Sequence, residues 1–203
     1  MNAPRIIAIV PAAGQSRRMG RTKQLLDVAG RPMLIGLLDT LRAAGVDRMI
    51  VVTTRSIASA LRLDDSMQFT LVFNDSPDTQ MIDSVRLGLN AAPPRDDVHG
   101  RADSPDGFLV CPADHPKLSA ADVRACIDEF TRHPHDIIIA ARGGRRGHPI
   151  IFPVALAAVV RSPACDRGLN GLPAESPERV RLVDCSSEGV TRDVDTPDDL
   201  QQK

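Results

Sequence analysis

The stretch "IIAIVPAAGQSRRMGRTKQLL", residues 6–26, begins as an unbroken apolar run and then turns to glycine, small side chains and cations. Such a run suits a strand covered on both faces, and small residues straight after it let backbone N–H groups approach an anion closely. Arg17, Arg18, Arg21 and Lys23 add positive charge of the kind a triphosphate uses. A solvated basic turn would have the same composition, so the loop alone leaves two readings open. It is neither GxGxxG nor GxxxxGK[ST], because Gly20 is followed by Arg21, Thr22 and Lys23.

Outward from this stretch, "RMIVVTT" (48–54), "FTLVF" (69–73), "GFLVC" (107–111) and "DIIIA" (136–140) are further short apolar runs, each read as a buried strand. Helix signals separate them. "RPMLIGLLDTLRAAG" sets Pro32 at a first turn, Leu34, Leu37, Leu38 and Leu41 on one face and Gly45 at the end. "SAADVRACIDEF" starts with Ser119 as an N-cap and lines up Val123, Ile127 and Phe130. Alternating strands and helices imply right-handed crossovers. The predicted fold is therefore α/β: a single doubly wound, mostly parallel sheet with helices on both faces. Ligands in such a sheet bind beyond the carboxyl ends of the strands.

The length of 203 residues suits one domain, read as a core over 1–140 and a portion over 141–203 that caps the sheet and helps build one side of a site. Proline, aspartate and glycine make 92–107 a surface loop. A formal charge of −1 leaves no basic excess for nucleic acid, and with no Trp or Tyr there is little to stack on bases. No apolar run approaches the roughly 20 residues of a bilayer span. Cys111, Cys126, Cys165 and Cys185 form no CxxC pair, and no secretory leader precedes Ile6, so free thiols in a cytoplasmic protein are expected.

"PAAGQSRRMGRTKQLL" closely resembles the LAAGxSxRMGxxKxLL signature of MobA-like nucleotidyltransferases, particularly their molybdenum cofactor cytidylyltransferase branch. The likeness continues, in order, through "QMIDSVRLGL" (80–89), "VCPADHPKLS" (110–119), "RGGRRGHPIIF" (142–152), "CDRGLNGL" (165–172) and "RDVDTPDDL" (192–200). It implies a Mg²⁺-dependent enzyme that moves a nucleoside monophosphate from an NTP to a phosphorylated small-molecule acceptor and releases pyrophosphate. The Ala-Ala-Gly form of the loop resembles the cytidylyl branch and favours CTP. Molybdopterin-bound molybdenum is then the acceptor, and a molybdenum hydroxylase apoenzyme the downstream partner.

The resemblance also distributes roles. Asp114 and Asp195 are implied as metal ligands, and Lys23 and Arg18 as phosphate ligands, with Lys23, Arg18 and Asp114 the catalytic set. The backbone of Ala12, Ala13 and Gly14 would meet the nucleotide, with Asn74 and Ser84 as further nucleotide contacts. Gly147, His148 and Pro149 match the block beside the acceptor, and His115 stands where the branch carries Gln in GDQP. From the residues alone, Asp114 sits just past an apolar strand, where a carboxylate suits a hard cation, but a helix cap also fits that position. Asp193 shares a strand face with Asp195 and is a weaker metal candidate.

Besides His115, three positions depart from the family pattern: Gln80 and Ala113 replace glycines, and Asn170 replaces an arginine. These departures concentrate on the acceptor side. A nucleotidyltransferase acting on a sugar phosphate or another small phosphomonoester is therefore a second reading, and a non-catalytic nucleotide- or cofactor-binding chaperone a third.

Overall fold

The structure, a computed structural model, describes residues 4–14, 22–64, 69–93, 105–194 and 199. Strand β1 (Ile6–Pro11) is buried along its whole length, as its unbroken apolar run requires. A two-residue hairpin, β2 (Asp27–Val28) with β3 (Arg31–Pro32), precedes α1 (Met33–Ala43), β4 (Arg48–Thr53), α2 (Arg55–Leu61) and β5 (Phe69–Phe73). Then come α3 (Met81–Ala91), β6 (Gly107–Val110), α4 (Ala120–Arg132), β7 (Ile137–Arg142), β8 (Arg145–Pro153), α5 (Ala157–Arg161), α6 (Gly171–Glu175) and β9 (Val180–Asp184).

The main sheet has seven strands in the order β5-β4-β1-β6-β8-β7-β9. Pairing is parallel from β5 through β6 and again between β7 and β9, whereas β8 runs antiparallel to both its neighbours. The doubly wound, mostly parallel sheet expected from the sequence is therefore present. One expectation needs correction. The portion beyond residue 141 does not cap the sheet but completes it, because β8 inserts between β6 and β7 and β9 adds the edge. Its apolar run Ile150, Ile151 and Phe152 is buried on both faces, which only an interior strand allows.

Strand alternation sorts the core into two layers. Ile6, Ala8 and Val10 face Leu34, Leu37, Leu38 and Leu41 of α1 and the Val123, Cys126 and Phe130 stripe of α4. Ile7 and Ile9 face Ile82, Val85 and Leu89 of α3 and Val160 of α5. Gly45 closes α1 at φ 91°, and Ser119 caps α4 by accepting from the Asp122 N–H at 3.1 Å. The four cysteines are free and buried. Among the described residues no helix is long and apolar enough to cross a membrane.

Candidate active site

The site is built where the carboxyl ends of β1 and β6 lie side by side. Their parallel register pairs Ile9 with Val110, and the ladder runs past the strand ends through Ala113 N–H to the Pro11 carbonyl at 3.0 Å. Ala12 is held from the other side, its N–H donating to Val52 at 2.7 Å. The small-residue loop Ala12-Ala13-Gly14 and the segment ending in Asp114 are thus fixed as neighbours.

Lys23 opens a single 3₁₀ turn, Lys23–Leu25. The next residue, Gln24, is buried and its amide donates to the Gly14 carbonyl at 3.1 Å, which ties the turn beneath the loop. Lys23 Nζ then reaches to 3.7 Å from Asp114 Oδ2. Burial pushes the Asp114 carboxyl above the usual carboxylate range, and the Asp193 charge adds to this. His115 and Lys23 pull the other way without cancelling it.

His115 is 6% exposed. Its Nδ1–H donates to the Gly189 carbonyl at 2.7 Å, since a carbonyl only accepts. Nε2 is left facing Asp114 Oδ1 at 3.9 Å. The His148 ring packs edge-on against His115, centroids 5.1 Å apart. Burial, and then the His115 charge, push His148 down to about 3 against the pull of the Val110 carbonyl, so it is neutral near pH 7.

The segment after β9 is clamped onto this cluster at four places. The Asp122 carboxylate accepts from the N–H groups of Ser186 at 3.0 Å and Ser187 at 3.1 Å. Gly189 lies so close to the Lys117–Leu118 backbone that a Cβ would stand 2.0 Å from Lys117 carbonyl carbon, and a Cβ on Gly147 would stand 1.9 Å from the Val190 oxygen. Val194 N–H donates to the Asp114 carbonyl at 2.9 Å. These ties bring Asp193 to the wall of the cavity that Asp114 and His115 line.

That cavity, of about 310 Å³, is also bordered by Arg146, Gly147, His148 and Asn170. A second hollow of about 230 Å³ shares Met81, His148, Ile150 and Asn170 with it and adds Gln80 and Arg167. Gln80 and Asn170, two of the family departures, therefore meet in one place, while Pro149 and Ala113 are buried beside it. Arg146 and Arg167 were not singled out from the sequence. Their signal was the arginine-rich wording of two blocks, but which arginines turn toward a cavity is set by strand register and loop path.

Asn74 and Ser84 lie elsewhere. The Asn74 amide donates to Thr79 Oγ1 at 2.6 Å and to Ser84 Oγ at 3.2 Å, which ties the end of β5 to α3. Asn74 borders a separate groove that shares no residue with the Asp114 cavity. The expected phosphate ligand Arg18 and metal ligand Asp195 lie outside the described residues.

Asp114 does not cap a helix, since Ser119 fills that place. Carboxylate oxygens from Asp114 and Asp193 at one cavity fit a hard divalent cation such as Mg²⁺ or Mn²⁺. Among the described residues no three His, Cys, Asp or Glu side chains cluster as ligands. Water and phosphate oxygens would complete the shell, as they commonly do for Mg²⁺.

Comparison with known proteins agrees with this architecture. The family model for the MobA-like NTP transferase domain matches residues 8–180. Nicotine blue oxidoreductase of Paenarthrobacter nicotinovorans is 26% identical over 97% of this chain and 95% of its own length. A 2-C-methyl-D-erythritol 4-phosphate cytidylyltransferase of Streptomyces coelicolor is 30% identical over 88% of this chain, which spans 61% of that protein. Crystal structures of Rv0371c from Mycobacterium tuberculosis superpose with TM-scores of 0.79 and, for its complex with manganese, 0.72. They are 29% and 27% identical, covering 99% and 97% of this chain and 97% and 96% of theirs.

Proposed function

Because the chain belongs to the MobA-like NTP transferase family, we propose that it is a divalent-metal-dependent cytidylyltransferase. It moves CMP from CTP to the phosphate of a molybdopterin-type acceptor, releasing pyrophosphate. The observation that carries this reading is the Lys23–Asp114 contact at 3.7 Å, beside a glycine-containing loop and at the edge of a cavity with an arginine on its wall.

Asp114, with Asp193 or Asp195, would hold Mg²⁺, which when bound offsets negative charge on the phosphates. Lys23 binds phosphate oxygens of the donor, and the backbone N–H groups of the Ala12-Ala13-Gly14 loop approach the nucleotide. An acceptor phosphate oxygen forms its bond to the α-phosphorus as the bond from that phosphorus to the bridging oxygen breaks. The electron pair leaves with pyrophosphate. Both reactants are anions, so the chain contributes mainly positioning and positive charge. Arg146 suits the acceptor phosphate, and neutral His148 a polar group beside it. Arg146 and Arg167 line the two hollows, where a guanidinium suits a phosphate. The product would be handed to a molybdenum hydroxylase apoenzyme.

Support for CTP comes from the Ala-Ala-Gly loop and from the cytidylyltransferase name of the Streptomyces relative. A second reading, a sugar phosphate or other small phosphomonoester as acceptor, is favoured by Gln80 and Asn170 at the second hollow. The deciding experiment is pyrophosphate release with Mg²⁺, comparing CTP, GTP, ATP and UTP with and without a molybdopterin-type acceptor or a panel of sugar phosphates. Release confined to CTP with the pterin acceptor supports the first reading. Release with a sugar phosphate moves the assignment to the second, and silence with every pair overturns both. Since the Paenarthrobacter relative is called an oxidoreductase, the same preparation is tested for reduction of a redox dye. Turnover there without pyrophosphate release would equally overturn the transferase reading.

A further inference from the structure

The ion pair at the head of the site joins two residues whose duties diverge once ligands arrive. Lys23 Nζ lies 3.7 Å from Asp114 Oδ2, with the lysine side chain 12% exposed and the carboxylate 31%. An ammonium at that distance occupies ground from which a divalent cation would have to approach the same carboxylate. Two cations drawn to one partly buried carboxylate repel each other, and the repulsion is poorly screened there.

Neither partner can simply withdraw. Lys23 is fixed at the start of its 3₁₀ turn by the Leu26 N–H bond to its own carbonyl at 3.0 Å and by the anchoring of Gln24 to Gly14 at 3.1 Å. Asp114 is held by the ladder contact of Ala113 at 3.0 Å and the Val194 contact at 2.9 Å. The end of the lysine side chain can swing, and turning it from a partly buried carboxylate toward a triphosphate keeps its charge compensated.

We propose that Lys23 is a placeholder cation: in the ligand-free protein its ammonium occupies Asp114 and resists a bare metal ion, and it yields when a triphosphate offers replacement anions. The ligand accepted is then the metal–nucleoside triphosphate complex as one unit, rather than metal followed by nucleotide. This rests on the reading of Asp114 as metal ligand and Lys23 as phosphate ligand.

The test is calorimetric titration at pH 8 with Mn²⁺ alone, and with Mn²⁺ plus a CTP analogue carrying a non-cleavable α,β-methylene bridge. Wild type, Lys23→Met, Lys23→Arg and Asp114→Asn are compared. Removing one positive charge beside the carboxylate should make Lys23→Met bind Mn²⁺ alone about tenfold tighter, yet bind the metal–analogue complex about tenfold more weakly. Lys23→Arg keeps the charge and should bind Mn²⁺ alone like wild type, while Asp114→Asn should lose that binding. Opposite signs for the two ligands cannot come from a damaged fold, which would weaken both. Unchanged or weaker Mn²⁺ binding in Lys23→Met overturns the proposal, as does full Mn²⁺ binding in Asp114→Asn. Tighter Mn²⁺ binding in Lys23→Met, with no form taking up the analogue, supports the placeholder and overturns the CTP reading instead.

Discussion

His115 donates its Nδ1 proton to the carbonyl of Gly189 at 2.7 Å, across 74 positions of sequence. The bond locks the ring that faces Asp114 to a glycine that has no room for a side chain. A Cβ at 189 would stand 2.0 Å from one Lys117 backbone atom and 2.1 Å from the Leu118 nitrogen. Backbone cannot yield as a flexible side chain can, so Gly189→Ala should cost about 2 kcal/mol or more. Pyrophosphate release should fall with it, because His115 loses its acceptor. Urea denaturation alongside initial rates would check both, and a variant as stable and active as wild type would refute the coupling.

Asp114 sits where burial disfavours its charged form. Burial holds its folded pKa above the unfolded value, so the folded state binds the proton more tightly and stability declines as pH rises past the ordinary carboxylate range. In metal-free buffer at pH 7, Asp114→Asn should melt at or above the wild-type temperature. Its pyrophosphate release should nonetheless fall by at least about 100-fold. Retention of most activity would remove Asp114 from the metal site.

Asp122 has the opposite sign. Burial pushes its carboxyl up, but hydrogen bonds from Ser187, Ser119 and Ser186 outweigh burial and hold the pKa below the usual range. That stability is fully present above the unfolded value of about 4 and is lost as pH falls through the folded pKa. Asp122→Asn should cost about 1–3 kcal/mol at pH 7 by leaving donors unpaired. The gap in melting temperature between variant and wild type should narrow as the pH is lowered below about 4. A gap independent of pH would contradict the assignment.

Arg167 borders the second hollow and is exposed, with no ion-pair partner among the described residues. Arg167→Ala should therefore leave the melting temperature unchanged. If the acceptor reaches this hollow, KM for acceptor should rise about tenfold with kcat preserved, the signature of lost uniform binding. An unchanged KM would confine the acceptor to the cavity beside Asp114.

Much of the fold was legible because apolar runs and caps are local signals. β5 falls on "FTLVF", and Ser119 caps α4 as its spacing predicted. α2 was not read, since "RSIASAL" buries only Ile57 and Ala58 and carries a weak stripe. The site was partly legible. The position of Asp114 past β6 and the Lys23 loop could be read along the chain. The bond from His115 to Gly189, and the separation of Asn74 from the Asp114 cavity, could not, because they depend on which distant segments meet.

By itself the sequence determined the strand and helix alternation, the buried character of β1 and the small-residue loop that follows it, because burial on two faces and close backbone approach demand particular residue types at consecutive positions. Tertiary structure alone decided that β8 enters the sheet rather than covering it, that Lys23 rests on Asp114, and that Gln80 and Asn170 border one hollow. Each of those is a long-range pairing, fixed by the summed packing of two core layers and by clamps such as Asp122 on Ser186 and Ser187. No stretch of neighbouring residues encodes such a pairing, since its free energy exists only once both partners are in place.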